Sequence, residues 1–175
     1  MLETRRGASL QEFESLTLRQ EKSIGTTRVL CFSNMDHVAI MNKSWHLIPK
    51  IVSGEKIIES RWYQTRRAPW NVISNGDIVY FKNSGELVTA SAKVSKVLQF
   101  TLQSEKDAEE IVKKYGKDIC IVNPDPKTWG KLPKYCILIF LKNAQYLDQP
   151  FQINKTGFGN STAWLLVNDI KKIKI

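Results

Sequence analysis

Residues 54–62 read Gly54-Glu55-Lys56-Ile57-Ile58-Glu59-Ser60-Arg61-Trp62, and they carry the densest structural signal in the chain. An apolar run, Trp45-His46-Leu47-Ile48-Pro49-Lys50-Ile51-Val52-Ser53, leads into it, and Gly76-Asp77-Ile78-Val79-Tyr80-Phe81-Lys82 follows it. The pattern predicts a helix, a glycine stop, a strand carrying Lys56, Glu59 and Arg61, and a tight turn into a second strand. Ser44 is the expected N-cap of that helix, and Pro49 is expected to cost it a hydrogen bond or to bend it. Gly54 suits the position just past the helix end, where positive φ is cheap only for glycine.

Side chains alternate along a strand, so Glu59, Arg61 and Tyr63 share one face and Lys56, Ile58, Ser60 and Trp62 the other. Lys56 joins Glu59 and Arg61 only if the chain bends just after Gly54. Such a triad sets a carboxylate between two cations. The cations suit phosphate, and the carboxylate can accept a hydrogen bond from a base amino group or orient a water. The plain structural alternative is a Glu59–Arg61 salt bridge that rivets a strand end.

Working outward, residues 1–34 read as a polar N-terminal extension with one short amphipathic stretch, Leu10, Phe13 and Leu16 sharing a helical face. Met35 is a candidate natural start, immediately before the strand expected over 36–41. Further strands are expected at 56–63 and 77–82, and between 86 and 100, where Val88, Ala90, Ala92 and Val94 alternate with polar residues. Ser104 opens the clearest helix, with Asp107 at its third position and Gly116 expected to close it. Tyr135-Cys136-Ile137-Leu138-Ile139-Phe140-Leu141 reads as a central strand covered on both faces. Separate strands are expected at 145–153 and 163–167, and a solvated lysine-rich edge strand at 171–175. Short strands with two or three flanking helices predict an α+β domain over 35–175, built on a small mixed barrel.

The chain has 175 residues, 42% of them apolar, and a formal net charge of +9. That is one domain with a short extension. A basic surface favours polyanions, because neutralised phosphates release condensed counterions. No run of eighteen apolar residues exists, so no membrane partner is expected. Cys31, Cys120 and Cys136 are widely spaced, which argues against a disulfide framework or zinc site and for a reducing cytoplasm. No metal and no cofactor is called for.

The fixed positions Gly54, Lys56, Glu59 and Arg61 resemble the signature G-x-K-x-x-E-x-R of the ASCH family, within the PUA-like superfold. The resemblance covers about residues 36–172. It implies a PUA-like barrel of five to seven strands, with these residues lining a cleft that binds RNA or a modified nucleotide. Tyr63, Arg66, Arg67, Trp70, Lys82 and Lys155 join Lys56, Glu59 and Arg61 as candidate nucleic-acid contacts. Trp70, in a basic loop beside Arg66 and Arg67, is the expected exposed stacking ring, whereas Trp45 and Trp62 are expected to be structural. Lys155-Thr156-Gly157-Phe158-Gly159 reads as a hairpin turn that could also offer backbone amides to a phosphate. DNA remains a possible partner. In the amidohydrolase branch of the family a threonine nucleophile follows the motif lysine by three residues. That position is Glu59 here, so the activity does not carry over. A ribonuclease-type hydrolase, with Lys56 and Glu59 as candidate catalytic residues, and a protein-interaction domain of coactivator type are the alternative readings.

Overall fold

The computed structural model describes residues 35–121, 123–159 and 162–175; the expected N-terminal extension lies outside them. Six strands form one sheet: β1 (Asp36–Met41), β2 (Ile58–Tyr63), β3 (Ile78–Asn83), β4 (Val88–Thr101), β5 (Tyr135–Phe151) and β6 (Trp164–Val167). Among the described residues two α-helices accompany them, α1 (Leu47–Val52) and α2 (Glu105–Ile119). The strand order is β2-β5-β4-β3-β1-β6, and β1 pairs parallel to β3 while the other neighbours are antiparallel.

The sheet curls because its two long strands are bulged. The β4–β5 register shifts between Val88 and Ala90, Ser91 and Lys93, and Val94 and Lys96. The first shift leaves three extra residues on β5, the second one on β5 and the third one on β4, and such irregularities sharpen the local twist. The result is a half-barrel with two open edges, β2 and β6. Those edges approach closely enough that the Arg61 guanidinium carbon lies 5.1 Å from the centre of a Trp164 ring.

Both faces of the sheet are covered, as the unbroken apolar run in β5 requires. Ile137, Ile139 and Leu141 enter the concave core with Phe81, Ala92 and Ile51, while Cys136 and Leu138 pack against Ala108 and Ile111 of α2. A third cluster, with Val38, Leu165 and Phe151, fills the far end.

Several boundaries differ from the sequence reading. The first helix begins as a 3-10 turn at Lys43–Trp45, capped by Asn42 rather than Ser44, and then breaks at His46, which adopts φ 50. Pro49 therefore falls in the first turn of α1, where its missing N–H costs nothing. Gly54 does sit just past the end of α1 with φ 79, its amide donating to the Ile51 carbonyl. Gly116 does not close α2. The helix runs on to bury Ile119, and Cys120 takes the left-handed conformation instead. The expected strand at 145–153 is the second half of β5, which continues through Asn143 at φ 52. The lysine-rich C-terminus forms a 3-10 turn, Ile170–Lys172, and then a single Ile153–Lys174 bridge in place of a strand. The capping box of α2, Ser104 with Asp107, is formed.

Candidate functional site

Lys56 lies just ahead of β2, in the bend that Gly54 allows, so strand alternation does not fix its direction. Its ammonium turns inward and is 2% exposed. It donates to the Ile58 carbonyl at 2.7 Å and the Ile119 carbonyl at 2.6 Å, and lies 3.3 Å from Glu59 Oε2. Two of the three N–H groups of the ammonium are thus committed to backbone carbonyls, with the Glu59 carboxylate at ion-pair distance. Ile119 ends α2, so its carbonyl is one of the helix's orphan acceptors at the negative end of the dipole. Lys56 thus ties the end of α2 to the start of β2 through two hydrogen bonds and stands at ion-pair distance from Glu59.

Glu59 and Arg61 share the concave face of β2. Arg61 Nε lies 2.9 Å from Glu59 Oε1, an ion-pair distance. Its N–H is not aligned for a hydrogen bond, however, and Nε is buried without a hydrogen-bond partner. The guanidinium instead lies against Trp164, where cation–π attraction contributes about 0.5–2 kcal/mol. Lys56, Glu59 and Arg61 are therefore brought together, and the Glu59–Arg61 ion pair and the triad are both present.

These residues line a cleft of about 750 Å³ along the open edge of β2. Because β2 is an edge strand, side chains from both its faces reach the cleft, Ser60 and Trp62 as well as Glu59, Arg61 and Tyr63. The far wall comes from the end of α2 and the loop beyond it, Ile119, Cys120, Ile121 and Trp129, and the near wall from Trp45 and Leu47. Three tryptophans, Trp45, Trp62 and Trp129, face the cavity. Trp62 and Trp129 meet edge to face at 4.8 Å, and Trp45 is 50% exposed. Arg67 also lines the cleft, its guanidinium carbon 4.4 Å from the centre of the Tyr63 ring. Tyr63 donates to the Ala68 carbonyl, and burial pushes its phenol up from its ordinary pKa.

Four other candidates lie elsewhere. Trp70 packs on the core and meets Tyr135 edge to face at 5.1 Å, with Arg66 over both rings. It is therefore a packed ring outside the cleft, and the exposed ring is Trp45, because the 3-10 turn that carries Trp45 buries no residue. Lys82 is buried in β3, and Lys155 lies in the 155–159 turn with its ammonium 3.5 Å from the Thr162 carbonyl. Neither lines the cleft. Trp129 and the Ile119–Ile121 segment carried no sequence signal, since their place depends on α2 ending beside β2.

Behind Trp164 stands a buried polar chain. The indole N–H donates to His37 Nδ1 at 3.1 Å, and His37 Nε2 lies 3.1 Å from Asp77 Oδ2. An indole only donates, so Nδ1 holds a lone pair and the ring proton sits on Nε2, pointed at Asp77. Asp77 also accepts from the Ser74 and Met35 amides. Burial pushes His37 below its ordinary pKa, against the opposing pull of Asp77 and Asp36.

Among solved structures, the fold is similar to that of the ASCH protein from Zymomonas mobilis, at 14% sequence identity and a TM-score of 0.55, covering 75% of this chain and 87% of that one. It is also similar to a tyrosine-to-phenylalanine variant of that protein (14% identity, TM-score 0.56, 75% and 89% covered) and to a serine-to-alanine variant (16% identity, TM-score 0.51, 75% and 87% covered). The fold is that of an ASCH domain. No family model and no curated protein matches the sequence. The ASCH likeness thus lies in the path of the backbone, and here that path sets α1, the glycine stop and β2 around the cleft.

Proposed function

We propose that this ASCH-like domain binds single-stranded RNA or a modified nucleotide, taking one base into the cleft. The observation that carries this reading is Glu59, its side chain 5% exposed, held between Lys56 and Arg61 in a cavity walled by tryptophans. A carboxylate at such a place accepts from the N–H groups of a base edge, and the rings stack on its faces, each such stack contributing about 1–3 kcal/mol. Arg61, Lys56 and Arg67 outweigh the one carboxylate, so the cleft suits a negatively charged chain.

A titration against single-stranded RNA, duplex DNA and modified nucleosides, read by tryptophan fluorescence at two salt concentrations, tests the reading. Saturable quenching by RNA or a nucleoside is expected, with weaker binding in Arg61→Ala. Glu59→Gln should hold or improve phosphate-driven affinity while losing discrimination among bases. Absence of saturable binding to any of these ligands would refute the proposal.

A further inference from the structure

Arg61 lines the cleft, and its hold on the protein is indirect. Lys56 is fixed by two backbone carbonyls. Among the described residues no hydrogen bond fixes the Arg61 guanidinium in the same way; it is held by the Glu59 charge and the Trp164 ring. Trp164 is itself buried, and its one polar group, the indole N–H, donates to His37 Nδ1 at 3.1 Å. His37 is fully buried, with Asp77 Oδ2 at 3.1 Å from its other nitrogen. Asp77 is anchored in turn by the Ser74 and Met35 amides. A buried histidine beside a carboxylate is commonly no more than a satisfied core residue. Here the chain of contacts does not end in the core. It runs from Asp77 through His37 and Trp164 to a cation of the cleft.

The bond between Trp164 and His37 exists in one protonation state only. An indole donates and cannot accept, so Nδ1 must keep its lone pair. A proton on Nδ1 sets two donors against each other. It also brings a second cation to the same indole, which stands 5.7 Å from the imidazole, centre to centre, and 5.1 Å from the Arg61 guanidinium carbon. Both effects loosen Trp164 from His37 and Arg61 from Trp164. We propose that His37 and Trp164 are positioning residues for Arg61, and that the proton on His37 sets whether Arg61 keeps its place in the cleft. The charges that act on His37 are Asp77, just before β3, and Asp36, its neighbour on β1. β6 presents Trp164, and beyond that ring β2 presents Arg61 with Glu59. The two aspartates favour the proton and burial opposes it more strongly, so the proton arrives only below the ordinary value of 6.5. A ligand that engages Arg61 then binds the neutral-His37 form better. This coupling rests on the reading of the cleft only for its ligand; the placement of Arg61 by His37 holds without one.

The test follows the ligand-free full chain, labelled with nitrogen-15, by NMR between pH 8 and 5, over the range where circular dichroism reports a folded protein. In the wild type the Trp164 indole N–H and the Arg61 Nε–H signals should move together, with one midpoint below pH 6.5. In His37→Gln both should stay still, because the amide oxygen accepts the indole N–H at every pH and carries no titrating proton. In Trp164→Phe the histidine still titrates, and the Arg61 signal should no longer follow it. An Arg61 signal that stays still in the wild type overturns the proposal, and that measurement needs neither variant to fold. Equal movement of Arg61 in the wild type and in either folded variant overturns it as well. A second arm measures affinity for an oligouridylate strand, since uracil gains no proton in this range. Its Kd should rise by roughly 2- to 30-fold as pH falls through the wild-type midpoint, the span that a lost cation–π contact allows, and should stay level in His37→Gln. An equal rise in both proteins overturns the coupling. Failure of the strand to bind at any pH counts against the cleft reading alone, since the NMR arm contains no ligand.

Discussion

Lys56 shows how one residue can look like a ligand-binding group and act as a brace. Its charge and its place in the motif suggest a phosphate contact, but its protons face Ile58, Ile119 and Glu59. Replacing it with methionine leaves two carbonyls unsatisfied and Glu59 with one cation fewer. We expect Lys56→Met to lower unfolding free energy in urea by about 3–5 kcal/mol, the range for breaking a buried ion pair. A loss below about 1 kcal/mol would mean the ammonium is not the brace described. The tryptophans separate in the opposite way. Trp45→Ala should weaken base binding by about 1–3 kcal/mol and leave the urea midpoint nearly unchanged, since the ring is half exposed. Trp70→Ala should cost about 3 kcal/mol of stability, the low end for truncating a packed tryptophan, and leave base affinity in the folded protein intact. Affinity and urea titrations on both variants decide the assignment.

At the scale of elements, two glycines make opposite predictions. Gly54 ends α1 with φ 79 and has open space where a Cβ would stand. Gly54→Ala therefore costs only the backbone conformation, about 1–2 kcal/mol, and it strains the bend that turns Lys56 toward Glu59. Gly116 lies within α2, and an added Cβ would meet Val112 Cγ1 at 3.4 Å, an ordinary contact. Gly116→Ala should stabilise the protein by up to about 1 kcal/mol, since alanine favours a helix interior over glycine. Thermal unfolding of the two single variants should move in opposite directions. Were Gly116→Ala destabilising by more than 1 kcal/mol, the placement of that glycine inside the helix would be wrong.

Across the whole molecule, the Asp77–His37–Trp164 chain joins β3, β1 and β6 behind the seam that Arg61 bridges. Its pH dependence has a definite sign. His37 is pushed below the ordinary value of 6.5 in the folded state, so the unfolded chain binds the proton more readily. The stability it contributes is full above pH 6.5 and is lost as pH falls through the folded value. A protonated ring would also set two N–H donors, the indole and Nδ1–H, against each other. Asp36, whose carboxyl burial pushes above 3.8, acts in the other direction at lower pH, where the folded state takes up the proton. Urea unfolding between pH 8 and 5 should show stability falling below pH 6.5, and His37→Gln should flatten that fall. An undiminished slope in the variant would place the titrating group elsewhere.

Local events were legible in the residues that make them. The Gly54 stop, the alternation of Val88, Ala90, Ala92 and Val94, the Ser104–Asp107 capping box and the two-faced burial around Cys136 follow from backbone propensity and hydrophobic period. Those forces act over a few residues and are written where they act. The boundaries that the sequence reading misplaced had tertiary causes. Gly116 could have ended α2, but burial of Ile119 was worth one more turn. Residues 145–151 joined β5 because β4 is long enough to pair with both halves. The cleft was decided almost wholly by the tertiary structure. Whether Lys56 faced Glu59 depended on where the α2 carbonyls lay. Which tryptophan stayed exposed depended on what packed against each ring. That Trp164 reached Arg61 depended on how far the bulged sheet curled. Each of these is a contact between segments distant in sequence, fixed by packing between elements rather than by the residues of either one.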